Sequence, residues 1–340
     1  MMMIDVMKAV QLHAFGGPEN LLYEDAPKPA VGSDDVLVHM HAAGLNPPDL
    51  YLRDGYRALP PEWWPAPIFP IIPGTDISGV VAAVGENVSA FSPGDEVYSM
   101  VRFPERAMNG SGAYADYVSV PASQVAFKPQ RLTHVQAAAA PMSLLTAWQF
   151  LVEPGHDAPN PFQPFQHTPV SLDGLTVLVN GASGGVGHLA VQIAKWKGAR
   201  VIAVASSRHE ELLRNLGADE FIDYTLTTAE SVVKNVDLVL DTAGGSNMAR
   251  FLECIKPGGA LFLVNPLGFS GQNEANKKRI TVSSTQVRSS GAQLMEAGNL
   301  LENGIIRVIV DSTCPLARAS DAHKRAEQGS LQGKIVLTNF

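Results

Sequence analysis

The amino-acid sequence predicts an α/β protein in which a doubly wound parallel sheet is joined to a β-rich domain. In the centre of the chain, short apolar segments alternate with helix-compatible ones, which is the pattern of a parallel sheet with crossover helices. The first ~140 residues instead hold short strands separated by Gly and Pro, as in partly barrel-like domains. Within the central part, a glycine-rich segment links a strand to a helix and indicates a ligand-binding turn.

The individual elements follow the hydrophobic pattern. In the β-rich part, the predicted strands include Asp35–His41, Gly79–Gly85 and Asp116–Val120. One helix is predicted from His134 to Glu153, interrupted only at Pro141. The parallel sheet is predicted to contain Thr176–Val179, Arg200–Ala205, Glu220–Asp223, Val236–Asp241 and Ala260–Val264. From about Val287 the pattern predicts helix, strand, helix and strand, ending in Gly333–Leu337.

Composition excludes several classes of protein. The chain carries 33 acidic and 25 basic residues, a net charge of −8, which argues against a nucleic-acid-binding surface. The amino terminus has Asp5 and Lys8 early and is predicted to form a first strand, not a signal peptide or membrane span. Two cysteines, Cys254 and Cys314, are too few for a disulfide framework, and they predict a reducing, cytoplasmic setting.

The segment TVLVNGASGGVG, residues 176–187, carries the clearest functional signal. A strand, a glycine-rich turn and a helix start in this order are typical of a dinucleotide-binding unit. Gly184 leaves room for a pyrophosphate to approach the backbone, and Gly187 lets the helix pack closely on the strand. The predicted contact residues are Ala182, Ser183, Gly184, Gly185, Val186 and Gly187. The alternative is a glycine-rich turn that binds no ligand.

The end of the next strand indicates which dinucleotide is bound. Folds that select NAD usually place Asp or Glu there, about 20 residues beyond the glycines. This chain has Ser206, followed by Ser207 and Arg208, which can donate hydrogen bonds to a 2′-phosphate. Glu210 and Glu211 come next, and in the first turn of a helix they could point away from the phosphate. The pattern therefore predicts NADPH as the cofactor.

Segments spread over nearly the whole chain resemble one known family. These segments are Ala43–Asp49, Pro73–Val80, Pro93–Val97, Gly112–Val118, Leu145–Ala147, Ala182–Gly187, Leu216–Asp219, Lys256–Gly259 and Gly333-Lys334. On them the chain resembles the medium-chain dehydrogenase/reductases, and within these the zinc-free quinone oxidoreductase group that includes zeta-crystallin. The resemblance implies a GroES-like catalytic domain of residues 1–143 and 288–340, a Rossmann NADP(H)-binding domain of residues 144–287, and a homodimer.

The zinc-dependent members of this family carry ligands that the chain lacks. Asn46 stands where they have Cys, Thr75-Asp76 where they have His-Glu, and Met142 where they have a further Cys. Asn, Thr and Met offer neither a thiolate nor an imidazole to Zn²⁺. His39 and His41 share a strand face but have no third partner in sequence range. The chain is therefore predicted to bind no metal.

The resemblance also implies the site residues. It places Asn46 and Tyr51 in the cleft facing the nicotinamide, where a tyrosine hydroxyl can donate a hydrogen bond or a proton. The alternatives are a turn residue before two prolines for Asn46 and a half-buried aromatic for Tyr51. Asp49 and Arg53 have helical spacing and could pair with each other. Further cofactor contacts are predicted at Thr146, Tyr224, Thr242 and Asn265, each with the alternative of an ordinary loop or strand-end residue.

Two proline-rich stretches break the alternating pattern. In the stretch Tyr56–Pro73, Tyr56, Trp63 and Trp64 are predicted to border the substrate entrance as part of a lid. The alternative is a surface loop whose indoles cover a small apolar cluster. The stretch Pro154–Val170 receives no functional assignment.

Without zinc, the expected reaction is one in which negative charge is delocalised onto an oxygen that hydrogen-bond donors can stabilise. The resulting prediction is an NADPH-dependent, zinc-free reductase of a quinone or an α,β-unsaturated carbonyl compound. An enoyl-thioester reductase is the alternative within enzymes. A non-catalytic NADPH-binding redox sensor or structural protein is the alternative of another class.

Overall fold

The computed structural model describes residues 5–57, 68–101, 112–156, 163 and 165–339. Its strands are β1 (Val6–Leu12), β2 (Leu21–Pro27), β3 (Asp35–Gly44), β4 (Asp76–Val84), β5 (Glu96–Met100), β6 (Tyr117–Pro121), β7 (Val125–Phe127), β8 (Thr176–Asn180), β9 (Arg200–Ala205), β10 (Glu220–Asp223), β11 (Val236–Asp241), β12 (Ile255–Leu263), β13 (Thr281–Ser283), β14 (Val310–Pro315) and β15 (Lys334–Thr338). Its α-helices are α1 (Pro47–Asp54), α2 (His134–Ala138), α3 (Pro141–Leu151), α4 (Gly185–Trp196), α5 (Glu210–Asn215), α6 (Ala229–Val232), α7 (Gln272–Lys278), α8 (Gly291–Glu302) and α9 (Ala319–Glu327).

The chain forms two compact units. The first comprises residues 1–142, 288–303 and 308–340, and the second residues 143–287 and 304–307. None of the described helices has the length and apolar character needed to cross a membrane.

The first unit is built around a seven-stranded sheet and a separate hairpin. The sheet order is β14-β15-β3-β4-β5-β7, with β6 also paired to β3, and β1 pairs antiparallel with β2. Val36, Val38 and Met40 of β3 are fully buried because alternate residues of a strand face the same side of the sheet. Strand β3 leads directly into Leu45, Asn46 and α1, so it positions the polar cluster described below.

The second unit is a six-stranded parallel sheet with the order β10-β9-β8-β11-β12-β13. Leu178, Val239 and Leu261 lie in its core with no exposed surface. Strand order reverses between β8 and β11, and ligands of such sheets bind beyond the carboxyl ends of the strands at this reversal. The predicted α/β class, with a doubly wound sheet and a β-rich unit, is confirmed.

Most predicted elements are present, and the two largest differences are in one helix and one strand. Strands β9, β10 and β11 begin and end where the sequence predicted, and the tail has the predicted order α8, β14, α9, β15. The helix predicted over residues 134–153 is two helices, and Pro141 begins the second one, α3. At the first position of a helix the missing N–H of proline costs no helical hydrogen bond. Strand β12 starts five residues earlier than predicted, so the glycines at 258 and 259 belong to it, and its pairing with β11 is irregular there.

Candidate active site

The glycine-rich turn lies in the second unit at the carboxyl end of β8. Gly184 precedes the 12-residue helix α4. No side chain caps the first backbone amides of this helix, and these amides belong to the candidate site. A Cβ on Gly187 would lie 2.2 Å from the carbonyl oxygen of Gly181, so the helix packs too closely on the turn for any side chain there. A Cβ on Gly184 would approach Gly181 only to 3.4 Å. Packing therefore explains Gly187, whereas Gly184 leaves an open approach to backbone amides that favour an anion.

A second set of polar groups lies where β8 and β11 end side by side. The Asn180 amide donates to Asp241 Oδ1 at 2.8 Å, and the backbone amides of Ala243 and Gly244 reach the same oxygen at 3.1 and 3.2 Å. Asp241 is fully buried, and its Oδ2 has no hydrogen-bond partner in the described part of the chain. The Thr242 hydroxyl donates to the carbonyl of Asn180 at 2.7 Å. These bonds fix the loop after β11 at the strand-order reversal.

The predicted cofactor residues near this loop are brought together only in part. Asn265, after β12, lies beside Gly244, since a Cβ on that glycine would be 3.3 Å from Asn265 Cβ. Asn265 Oδ1 accepts the amide of Leu267 at 3.2 Å. Thr146 lies in α3 and is 5% exposed. Asn180 and Asp241 are not among the predicted site residues, although both stand at the ends of strands, where ligands of such sheets bind.

The predicted adenosine-binding residues lie where β9 and β10 end. Ser206 follows β9 and precedes a short 3₁₀ turn, Ser207–His209. Arg208 Nε donates to His209 Nε2 at 3.0 Å. Tyr224 is 54% exposed, and its amide donates to the carbonyl of Ala205 at 3.2 Å. The structure thus places Ser206, Ser207 and Tyr224 at one edge of the sheet.

In the first unit, Asn46 is the centre of a buried polar cluster. Asn46 precedes α1, and its backbone amide donates to Asp49 Oδ2 at 2.8 Å. Its side-chain nitrogen donates to Thr75 Oγ1 and to Asp76 Oδ2, each at 2.9 Å. The Lys334 ammonium donates to Asn46 Oδ1 and, at 2.7 Å, to the carbonyl of Leu45. The amide of Asn46 is therefore fully hydrogen-bonded within the protein, and the residue is only 1% exposed.

Burial dominates the electrostatics of this cluster. It raises the pKa of Asp76 to about 6 and raises the pKa of Asp49, which lies near Asp76. Burial lowers the pKa of Lys334, whose ammonium lies 3.9 Å from Asp76 Oδ2. Two carboxyl groups thus share one buried ammonium, so the ionic state of each depends on the others.

A chain of hydrogen bonds connects this cluster to the surface. The Tyr114 hydroxyl donates to Asp49 Oδ2 at 3.4 Å and lies 3.4 Å from His323 Nε2. Arg53 NH1 lies 3.3 Å from His323 Nδ1, and Arg53 also pairs with Glu327. Because Arg53 is a donor only, His323 Nδ1 accepts this bond, and Nε2 carries the proton. Burial, with a smaller effect of Arg53, lowers the pKa of His323 to about 3, so the ring is neutral.

Asp49 and Arg53 therefore do not pair with each other, although their helical spacing allows such a pair. Each finds its partners outside α1, in residues 46, 114, 323 and 327. Tyr114 and His323 were not predicted, because 65 and 274 residues separate them from Asp49 along the chain. Only the fold brings them together.

Tyr51 is the predicted donor that remains accessible. It lies on α1, is 37% exposed, and has its ring centroid 6.4 Å from that of Tyr56. Burial and the nearby Asp54 raise its pKa, so the phenol keeps its proton at neutral pH and can donate a hydrogen bond. Tyr56, also predicted at the entrance, is only 8% exposed. Trp63 and Trp64 lie outside the described residues.

Comparison with known proteins identifies the family. Residues 32–130 match the alcohol dehydrogenase GroES-like domain, and residues 216–337 match the zinc-binding dehydrogenase model. A mouse protein named NAD(P)H oxidoreductase RTN4IP1, mitochondrial, is 33% identical over 337 residues, 89% of this chain and 81% of the relative. The tomato (Solanum lycopersicum) 2-methylene-furan-3-one reductase is 32% identical over 97% of this chain and 79% of its own length. The structure of the quinone oxidoreductase from Coxiella burnetii matches with a TM-score of 0.83 and 29% identity, covering 99% of this chain and 100% of that one.

The chain belongs to the medium-chain dehydrogenase/reductase superfamily, in its quinone oxidoreductase group. It is therefore an oxidoreductase that uses a nicotinamide cofactor. The predicted family and enzyme class are confirmed.

The positions at which zinc-dependent members of the superfamily carry ligands are joined here by hydrogen bonds. Asn46 contacts Thr75 and Asp76, and the backbone amide of Met142 donates to Asp76 Oδ1 at 3.0 Å. Among the residues that the structure describes, no group of three or more His, Cys, Asp or Glu side chains is placed to hold a metal ion. The rings of His39 and His41 lie 5.5 Å apart, and His134 lies 4.4 Å from His41.

The predicted cytoplasmic location of this dehydrogenase/reductase is wrong. The mouse relative and its zebrafish, bovine and human counterparts, at 32 to 33% identity, are all named as mitochondrial. The prediction used the cysteines, and both thiols are indeed free, with burial raising the pKa of Cys254 to about 11. Free thiols indicate a reducing environment, but they do not distinguish one reducing compartment from another.

Proposed function

We propose that this protein is an NADPH-dependent, zinc-free reductase that acts on a quinone or an α,β-unsaturated carbonyl compound. The observation that carries the proposal is the cluster around Asn46. Its side-chain amide donates to the Thr75 hydroxyl and to the Asp76 carboxylate, and Lys334 adds a buried ammonium. None of these groups offers the thiolate or imidazole that a catalytic zinc requires. A reaction that needs hydrogen-bond donors in place of a Lewis acid suits these residues.

The cluster sets the position of Tyr51, the predicted donor that is accessible. Asn46 and Asp49 fix the start of α1, and Tyr51 follows on the same helix with its protonated phenol exposed. Asn46 uses both N–H groups within the protein, so its part is to hold α1 in place. The Tyr51 hydroxyl would stabilise the oxygen that gains negative charge when a conjugated carbonyl or quinone accepts hydride. NADPH supplies that hydride when bound.

The second unit carries the groups suited to the dinucleotide. The amides at the start of α4 favour the pyrophosphate, and Gly184 leaves them accessible. Ser206, Ser207, Arg208 and Tyr224 offer donors for a 2′-phosphate, whereas Thr242 and Asn265 lie at the strand ends suited to the nicotinamide part. A homodimer remains a prediction from the family.

The named relatives support the substrate class. The tomato relative is named for 2-methylene-furan-3-one, which is an α,β-unsaturated carbonyl compound, and the Coxiella burnetii neighbour is a quinone oxidoreductase. Both substrates accept hydride in a way that places charge on an oxygen.

Spectrophotometric NADPH oxidation with a panel of quinones, enals and crotonyl thioester tests the proposal. Turnover of a quinone or an enal is expected. Turnover of the thioester alone would favour an enoyl-thioester reductase, and tight NADPH binding without turnover would favour a sensor. Stoichiometric zinc in the purified protein, with activity lost on chelation, would refute the zinc-free claim.

A further inference from the structure

A carboxylate with no predicted role lies where β9 and β10 end, at the edge of the parallel sheet that holds the predicted adenosine-binding residues. Asp223 is the last residue of β10 and is in register with Ala205, the last residue of β9. Neighbouring strands are about 4.8 Å apart, and paired residues point to the same face. Ser207 follows Ala205 by two residues. Asp223 therefore stands beside the segment that we assign to the 2′-phosphate.

The Asp223 carboxylate is held in this place. Its Oδ1 accepts the amide of Thr225 at 2.9 Å and the Thr225 hydroxyl at 2.7 Å. These bonds, with smaller contributions from the hydroxyl and amide of Ser207, lower the pKa of Asp223. The group is thus ionised at neutral pH and lies against a residue that would otherwise offer its donors to a phosphate.

We propose that Asp223 is a specificity-determining residue that limits the preference of this enzyme for NADPH over NADH. Its negative charge, held in place by Thr225, opposes the charge of a 2′-phosphate, and its hydrogen bonds with Ser207 compete for the donors of that residue. A ribose 2′-hydroxyl carries no charge and can donate to a carboxylate, so NADH meets no such penalty. The inference rests on the proposed function, since it requires the adenosine ribose to lie at the end of β9.

Local sequence gives no sign of this effect. The usual acidic residue of an NAD-selective fold ends the second strand, where this chain has Ser206. Asp223 lies 17 residues further along the chain and reaches the same edge only through the parallel pairing of β10 with β9. A carboxylate from the third strand therefore stands near the place that the second strand leaves free.

The test is direct titration of the purified protein with NADPH and NADH, followed by fluorescence, for wild type and for Asp223→Asn. Asparagine keeps an oxygen for Thr225 and removes the charge, with an uncharged NH2 group in place of the second carboxylate oxygen. The variant is expected to bind NADPH about tenfold more tightly, with NADH affinity changed by less than about twofold. The gain should shrink at high salt, because the Debye length falls from about 8 Å at physiological ionic strength to about 3 Å at 1 M.

Glu220→Gln is the matched control. Glu220 begins the same strand, is partly buried like Asp223 and pairs with Arg200. The control variant therefore removes the same charge about 10 Å from Asp223. It is expected to leave the ratio of the two affinities unchanged, and thermal melting checks that both variants are folded.

An unchanged ratio in Asp223→Asn, an equal gain in Glu220→Gln, or weaker NADPH binding in Asp223→Asn would overturn the inference while leaving the proposed function intact. Failure of the wild-type protein to bind either cofactor would overturn the proposed function, and the inference with it.

Discussion

Replacing Lys334 by methionine tests whether the buried cluster around Asn46 is held together by one ammonium group. Lys334 has a side chain only 4% exposed, and it contacts Asn46, the carbonyl of Leu45 and, at 3.9 Å, Asp76. Methionine has a similar length and no charge. Breaking a buried ion pair by removing one partner costs about 3–5 kcal/mol, because the other charge remains buried without compensation. We expect the free energy of unfolding of Lys334→Met to fall by about this amount at about pH 8.

The loss should depend on pH in a direction set by Asp76. Burial raises the pKa of Asp76 to about 6 in the folded protein, above its ordinary value of about 3.9. The folded state then binds the proton more tightly than the unfolded chain. The stability that this proton binding contributes is fully present below the pKa of Asp76 in the unfolded chain. It is lost as the pH rises through the pKa of Asp76 in the folded protein. Lys334 offsets that loss, since its charge lowers the pKa of Asp76. The variant should therefore lose less than half as much stability at about pH 5, where Asp76 is protonated.

Urea unfolding followed by circular dichroism at the two pH values measures the effect. Lys128→Met is the matched control, because Lys128 is also buried but pairs with the exposed carboxylate of Glu96 at 3.2 Å. Burial acts to raise the pKa of Glu96, whereas the pairing with Lys128 lowers it, and the pKa lies below its ordinary value. Glu96 therefore stays ionised at both pH values. Lys128→Met should lose less stability than Lys334→Met, and its loss should be the same at both pH values. An equal loss at both pH values in Lys334→Met, or no loss, would refute the role assigned to Lys334.

Four further substitutions test the remaining assignments. Tyr51→Phe is expected to lower kcat with an enone about a hundredfold while NADPH affinity stays the same, because only the hydroxyl is removed; unchanged kcat would exclude Tyr51 from the site. Gly187→Ala is expected to lower Tm by several degrees, since its methyl would meet Gly181, whereas Gly184→Ala should keep Tm and weaken NADPH binding. The reverse pattern in melting and titration would contradict the turn geometry. Ser206→Asp should lower the ratio of kcat/KM for NADPH to that for NADH by about tenfold, and a wild-type protein that uses NADH at least as well as NADPH would disprove the cofactor prediction.

Features with a local signal could be predicted from the sequence. Strands β9 to β11 are short apolar runs bounded by turn residues, and the turn at 182–187 has its glycines at the spacing that close helix packing requires. The sequence predicts an interrupted helix at Pro141, where the structure has the start of α3. Residue type alone does not distinguish a proline within a helix from a proline at its first position. Boundaries of this kind depend on how the chain packs and not on the residue alone.

The polar contacts that define the candidate site had no such local signal. Lys334 meets Asn46 across 288 residues, and Asp223 reaches the end of β9 only through strand register. Lysine at the start of a strand is ordinarily a solvated residue, so nothing in the pattern GKIVL marks Lys334 as the buried counter-ion of two carboxyl groups. Residue types could be listed from the sequence, but their partners required the fold.

Helix α1 shows what these distant contacts achieve within the first unit. At its start, Asn46 is held by Lys334 of β15, and at its end Arg53 is held by His323 and Glu327 of α9. Both attachments come from the carboxyl-terminal part of the chain, and Tyr51 lies between them. Because buried, hydrogen-bonded charges tolerate little displacement, the two attachments fix the helix at both ends. The position of the proposed donor is therefore set by residues that follow the entire nucleotide-binding unit in the sequence, which gives a physical reason for the first unit to be built from both ends of the chain.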